Sequence, residues 1–255
     1  MGEGLVMQET HAQLGGLDAR IITAKENQQP ELVVILCHGY GAPGTDLVPL
    51  ARELAMSHPE LGKIARFIFP EAPLSLGQFG FYEGRAWWAI DPQRFERALA
   101  TGQLEELTDS EPDGLRSARA QLQSLLEATL IATGVPLSRV VLGGFSQGAM
   151  VATDLALRLE DSPAGLGIFS GTLLCQPTWD QRATLRRDLK IFQSHGQQDP
   201  LLPFELAQRL HQLFISHNLP ATFHAFHGGH TIDREALQHF GALLMDVVNN
   251  NRTQQ

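Results

Sequence analysis

Residues 139–153 read Arg-Val-Val-Leu-Gly-Gly-Phe-Ser-Gln-Gly-Ala-Met-Val-Ala-Thr, an apolar run broken by a hydroxyl set between Gly144 and Gly148. Gly-x-Ser-x-Gly at a strand-to-helix junction is the pattern of a nucleophile elbow, a turn so tight that only glycine fits two positions before and after the serine. An ordinary glycine-rich turn in which Ser146 caps the following helix matches the same letters. The bare pattern leaves the two readings level. A neutral hydroxyl is a weak nucleophile, so the first reading requires a base to take its proton and an acid to orient that base.

Both groups follow in the chain order Ser, Asp, His that such an elbow uses. Leu189 to Pro200 supplies a strand, a glycine turn and Asp199, which places a carboxylate at the C-terminal end of a strand, where ligand sites of parallel sheets gather. A turn or helix-cap role before Pro200 is the plainer reading of Asp199, and its position between the other two candidates favours catalysis. The next strand, Ala221 to Phe226, runs into His227-Gly-Gly-His230. His224 lies inside the strand among apolar residues, which suits a structural histidine, and His227 ends the strand. His230 follows two glycines that free the loop to bring its ring over the elbow, so it is the expected base. Zinc on the three histidines is an alternative that successive positions across a strand end disfavour, because they point to different faces; no metal ligand is assigned. The amide of Gln147, next after the serine, is one expected oxyanion donor, and Tyr40, in the loop after Leu32–Cys37, carries the other. His38 precedes the nucleophile in the chain, so an orienting or packing role is expected of it.

The segments His38-Gly-Tyr-Gly41, Pro70-Glu-Ala-Pro73, Ala86-Trp-Trp-Ala-Ile-Asp91, Gly143-Gly-Phe-Ser-Gln-Gly148, His195-Gly-Gln-Gln-Asp-Pro200 and Gly229-His230 resemble the phospholipase/carboxylesterase family, in order, from about Ala19 to about Val248. That resemblance implies an α/β-hydrolase fold with no metal and no organic cofactor. It implies a serine esterase or thioesterase with Ser146 as nucleophile, Asp199 as acid, His230 as base and oxyanion amides at Tyr40 and Gln147. Lysophospholipase or acyl-protein thioesterase activity is the alternative emphasis. A silent binding module is disfavoured by three correctly filled positions, and a dienelactone-type hydrolase would carry cysteine where Ser146 stands. Two departures stand out: residues 91–114 are longer than the matching family segment, and Tyr40 replaces the leucine usual after His-Gly.

These groups need a scaffold. Strand-like runs at 19–23, 32–37, 64–69, 139–145, 165–169, 189–194 and 221–226 alternate with helical periodicity at 46–56, 115–133, 147–159, 204–218 and 233–249. Strands apolar almost throughout, alternating with helices, predict an α/β sheet, mostly parallel and covered on both faces. The short polar loop between 19–23 and 32–37 predicts an antiparallel hairpin of those two strands at a sheet edge. With no repeat or linker, residues 1–255 read as a single α/β-hydrolase domain. A long excursion at 73–114, aromatic and then acidic, reads either as a lid or binding wall or as a surface excursion. Its Trp88 is the assigned substrate-binding residue, with Trp87, Phe79, Phe81 and Tyr82 expected to add apolar wall. Residues 249–255 are expected to fray.

A net charge of −9 argues against nucleic acid and anionic lipid as partners. The expected partners are a small-molecule ester or acyl thioester and, where the chain self-associates, a second copy in a homodimer. Two cysteines, Cys37 and Cys175, make no disulfide framework, and Cys37 reads as a buried free thiol. The first residues lack a basic segment followed by an apolar one, and no apolar run is long enough to span a bilayer, so a cytoplasmic location is expected.

Overall fold

A computed structural model describes residues 6–24, 29–80 and 82–253. Its centre is an eight-stranded sheet in the order β1-β2-β4-β3-β7-β8-β9-β10, built from Met7–Leu14 (β1), Leu17–Ala24 (β2), Leu32–Cys37 (β3), Ala65–Pro70 (β4), Val140–Phe145 (β7), Gly165–Phe169 (β8), Lys190–Gly196 (β9) and Ala221–Phe226 (β10). From β4 through β10 every pairing is parallel, while β1 and β2 run antiparallel at one edge.

The edge hairpin differs from expectation. Residues 17–24 pair with β1 and β4, and β3 is not their neighbour. Every residue of β3 is buried, so this strand sits inside the sheet between β4 and β7. β1, read as Met-Gln-Glu-Thr-His-Ala-Gln-Leu, is largely exposed and carries no apolar run, which is why periodicity misses it. Its turn was legible, because Gly15-Gly16 joins the strands with φ of +55° and +91°, the conformation of a two-residue hairpin loop. A side chain at Gly15 would also stand 2.2 Å from the Ser124 carbonyl carbon.

Helices cover both faces, as the apolar strands require. On one side Leu115–Thr133 (α5), Gln147–Arg158 (α6), Gln176–Ala183 (α7) and Phe204–Ser216 (α8) bury Leu122, Val151, Trp179 and Leu210. On the other, Val48–Ser57 (α1), Pro59–Ile64 (α2) and Arg234–Thr253 (α9) bury Leu54, Leu61, Phe240 and Leu244. α9 extends to Thr253, into the segment expected to fray, whose residues 254–255 lie outside the described residues; Val247 and Val248 on this helix are buried against the core.

The excursion is ordered. It holds a two-stranded pair, Leu74–Ser75 (β5) with Arg85–Ala86 (β6), then Pro92–Thr101 (α3) and Glu105–Thr108 (α4). Asp91 caps α3, its Oδ1 accepting from the amides of Gln93 and Arg94, with Pro92 in the first turn. Its far end is held by charge. Glu111 pairs with Arg116, Arg119 and Arg158, and Arg119 and Arg158 also reach Asp154, which is fully buried on α6. Trp179 Nε1 donates a third hydrogen bond to Asp154 at 2.8 Å.

Asp154→Ala would leave the largely buried Arg119 and Arg158 with Glu111 as their one remaining carboxylate, and Trp179 Nε1 without its acceptor. Breaking one partner of such a group costs ~3–5 kcal/mol, and urea unfolding of the variant should show a loss of that size.

Candidate active site

β7 ends at Phe145 and α6 begins at Gln147, so Ser146 alone makes the turn. Its backbone sits at φ 54°, ψ −121°, a conformation that costs a non-glycine residue roughly 1–3 kcal/mol. The Ser146 side chain makes no capping hydrogen bond to α6, which removes the helix-cap reading. The turn is tied to the sheet instead, through the Ser146 amide donating to the Phe169 carbonyl at 2.8 Å. The two flanking glycines are required by contact. A Cβ at Gly144 would lie 2.4 Å from the Cys37 carbonyl oxygen, and one at Gly148 only 2.1 Å from the same atom.

Asp199 lies in the turn after β9 with its side chain fully buried. Its Oδ1 accepts from the amides of Leu201 and Leu202, at 2.8 and 2.9 Å. Its Oδ2 accepts from His230 Nδ1 at 2.6 Å, and His195 Nε2 lies 3.2 Å away. Burial alone would raise this carboxyl's pKa. The hydrogen bonds from His195, His230 and the Leu202 and Leu201 amides outweigh it and hold the group well below the usual carboxylate range. His230, fixed through Nδ1, keeps its other nitrogen for a second partner. Its ring packs on Phe145, the residue before the serine, at a centroid distance of 4.7 Å. Ser170 Oγ donates to the Thr231 carbonyl and holds the same loop from β8.

The other histidines go elsewhere. His227 is exposed, and His224 bonds Asp233 at 3.0 Å, so the three histidines of this stretch do not converge on one point. His38 is buried, its Nε2 accepting from the Ala72 amide at 3.0 Å and its Nδ1 within 2.8 Å of the Gly39 carbonyl. That is the packing role expected of it. Sequence reasoning missed two supports, Ser170 and His195. His195 is fully buried, with Nε2 also 3.0 Å from the Leu202 carbonyl, so it braces the turn that carries Asp199. Its place four residues before the acid was the one available signal.

Among the described residues, no backbone hydrogen bond engages the Tyr40 or Gln147 amide, so both are available as donors. The Gln147 side chain joins the elbow to the excursion, its Oε1 accepting from the Trp87 amide and its Nε2 donating to the Trp88 carbonyl, both at 2.9 Å. Beside Ser146 opens a cavity of about 400 Å³. Trp88, Ile90, Phe95 and Leu107 of the excursion face Met150, Leu174 and Leu206 of the body across it, and Tyr40, Ser146 and Gln147 also line it. The excursion is therefore one wall of the cavity. Trp87 departs from expectation. Its ring is buried in the core, held by Nε1 donating to the His38 carbonyl, and is not part of the lining. Tyr82 is 92% exposed and also outside the lining. Phe81 and the Phe79 side chain lie outside the described residues.

A family model for Phospholipase/Carboxylesterase matches residues 18–245. The chain belongs to the phospholipase/carboxylesterase family. It is similar to acyl-protein thioesterase 1 of Eremothecium gossypii, 28% identical over 199 residues, covering 78% of this chain and 79% of the relative. The protein of the same name from Mycosarcoma maydis is 28% identical over 210 residues, covering 76% and 79%. Among solved structures, esterase PE8 superposes with a TM-score of 0.73 at 26% identity, over 91% of this chain and 99% of that one. A Mesorhizobium loti carboxylesterase gives 0.69 at 18% identity over 95% and 99%, a likeness of fold. The family and the sheet together establish an α/β-hydrolase fold, and the chain is a hydrolase of the carboxylesterase and thioesterase kind. Among its described residues no helix is long and apolar enough to cross a membrane.

The burial of His38 has a measurable consequence. Burial, opposed by the Gly39 hydrogen bond and aided by the Arg85 charge, lowers its pKa from 6.5 to about 4. The folded state thus refuses a proton that the unfolded chain accepts, so stability is lost as pH falls from 6.5 through about 4. His38→Gln should flatten that limb relative to wild type in urea midpoints measured at pH 7, 5.5 and 4.5.

Proposed function

We propose that this hydrolase cleaves carboxylic esters or thioesters through Ser146, His230 and Asp199, by way of an acyl-enzyme. The observation that carries the reading is the 2.6 Å Asp199–His230 hydrogen bond beside a serine held at φ 54° on the strand–helix turn. Asp199 fixes the imidazole with Nδ1 bearing its proton, which leaves Nε2 to take the proton of Ser146. The serine oxygen then attacks the acyl carbon, and the Tyr40 and Gln147 amides receive the developing oxyanion; each such donor is worth ~2.7–4 kcal/mol in comparable sites. The imidazolium protonates the departing alcohol or thiol, and water attacks the acyl-enzyme along the reverse course. In acylation the Ser146 proton passes through His230 to the leaving group; in deacylation a proton of the attacking water passes through His230 back to Ser146, while Asp199 stays ionised.

The relatives' name, acyl-protein thioesterase 1, supports thioesters of acylated proteins as one substrate class, and the likeness to esterase PE8 supports simple esters as another. The acyl group is assigned to the cavity beside Ser146. Its excursion wall closes a space of about 400 Å³, which suits short to medium chains. The chain is taken to act as one domain, 1–255, because the sheet, the excursion and both triad loops share one core.

Ser146→Ala should abolish ester hydrolysis with folding intact, and a fluorophosphonate should label Ser146 alone by mass spectrometry; an adduct elsewhere overturns the assignment. His230→Ala should lower turnover as severely as loss of Ser146, because triad members act as a unit. His227→Ala and His224→Ala should do far less, and a larger loss in either would move the base.

Trp88→Ala should shift chain-length preference towards longer acyl groups while changing the rate on acetate little. Each methylene gained or lost is worth ~0.8 kcal/mol, about fourfold in kcat/KM. Measurement of kcat/KM from acetate to laurate esters, with Phe95→Ala as a second wall variant, checks it. Unchanged profiles in both would make the excursion plain scaffold.

A further inference from the structure

The loop that carries His230 leaves β10 and returns into α9. On its two sides stand His224 of β10 and Glu235 and His239 of α9, and one donor atom from each lies within 4.8 Å of the other two. None of the three has a part in the triad reading. Glu235 and His239 are four residues apart on one helix, so they lie one above the other on the same side. His224 reaches them from the neighbouring strand.

We propose that His224, Glu235 and His239 form a binding site for a divalent transition-metal ion, zinc above all. Two imidazoles and one carboxylate are a donor set that suits zinc, copper or nickel, whereas calcium and magnesium take oxygen ligands. Three protein ligands leave the fourth tetrahedral position to water. The surroundings fit a built site. Asp233 Oδ2 accepts from His224 Nε2 at 3.0 Å while its Oδ1 accepts from the Ala236 amide at 2.8 Å, so the carboxylate is itself fixed at the start of α9. An ion on His224 Nδ1 keeps Asp233 as the outer carboxylate that orients the ring; an ion on Nε2 recruits it as a further oxygen. The His224 ring is braced by Phe226, stacked at 5.8 Å, and meets the His239 ring edge-on at 5.2 Å. Glu235 and His239 are exposed, which gives an ion its way in. This set shares only His224 with the loop histidines 224, 227 and 230, which do not converge. A bound ion would join the chain on either side of residues 225–234, a staple across the loop that presents His230.

The test uses the full chain without an affinity tag, stripped with EDTA and titrated with ZnCl2 by calorimetry. Expected are one zinc per chain, a higher thermal midpoint with zinc, and no binding of CaCl2. The Glu235→Ala, His239→Ala double variant should lose at least 100-fold in zinc affinity, and Asp233→Asn about 10-fold, the range found for outer partners of ligating histidines. Because both side chains of the double variant are exposed, its metal-free unfolding midpoint should match wild type; His239→Gln alone should still lose at least 10-fold. Absence of stoichiometric zinc binding by wild type would overturn the site. So would undiminished binding by the double variant, which would place the ion on other histidines. Ester hydrolysis by the stripped wild type tests the triad separately, since that reading needs no metal.

Discussion

The contact between the Cys37 carbonyl and the two glycines around Ser146 governs this structure. β3 and β7 pair in parallel with Cys37 opposite Gly144, so the carbonyl at the end of β3 meets the first turn of α6 directly. Any side chain at 144 or 148 would push α6 off the sheet and relax the turn that holds Ser146 at φ 54°. A strained serine survives only where its surroundings over-determine it. Here they do so through the apolar β3, buried at every position, and through α6, buried along almost its whole length. The core thus fixes the one conformation at which a hydroxyl stands clear of both strand and helix.

Charge is arranged around that turn with the same economy. Asp199 is buried yet stays ionised because four hydrogen bonds reach its two oxygens, and His230 spends one nitrogen on it. His38, equally buried but given only backbone partners, has the opposite tendency and stays neutral. The two imidazoles differ in role because one faces a carboxylate and the other faces a carbonyl and an amide.

Much of this was legible in the sequence because it follows from local chemistry. Gly144 and Gly148 announced the elbow, Gly228-Gly229 announced the loop of His230, and five apolar strands from β3 to β9 announced a covered parallel sheet. What escaped depends on tertiary context. β1 is polar because an edge strand needs no buried face, so periodicity misses it and its one remaining signal, the Gly15-Gly16 turn, went unread. β4 inserts between β2 and β3, a choice made by the burial of β3 and not by loop length. α3 had both a cap in Asp91-Pro92 and a stop in Gly102, yet its low apolar content left the helix within the excursion unread. Ser170 and His195 carry no motif; they matter through a carbonyl and a carboxylate that the fold brings to them. Trp87 and Trp88 are neighbours and both are buried in the core, yet only Trp88 also lines the cavity, a difference set by tertiary packing.

The attachment of the excursion tells how it can matter. Part-way along it Gln147, the residue after the serine, grips the backbone at Trp87 and Trp88; near its end Glu111 joins the arginines that surround Asp154 on α6. Both anchors are on α6, the helix that follows Ser146. A wall fastened in this way to α6 keeps its distance from Ser146, so in the proposed reaction acyl length would be measured from the site of attack. A free lid could exclude water but could not hold that measure. The buried charges of Asp154, Arg119 and Arg158 contribute little net stability for their desolvation, and their place in the architecture is better understood as setting where the wall ends.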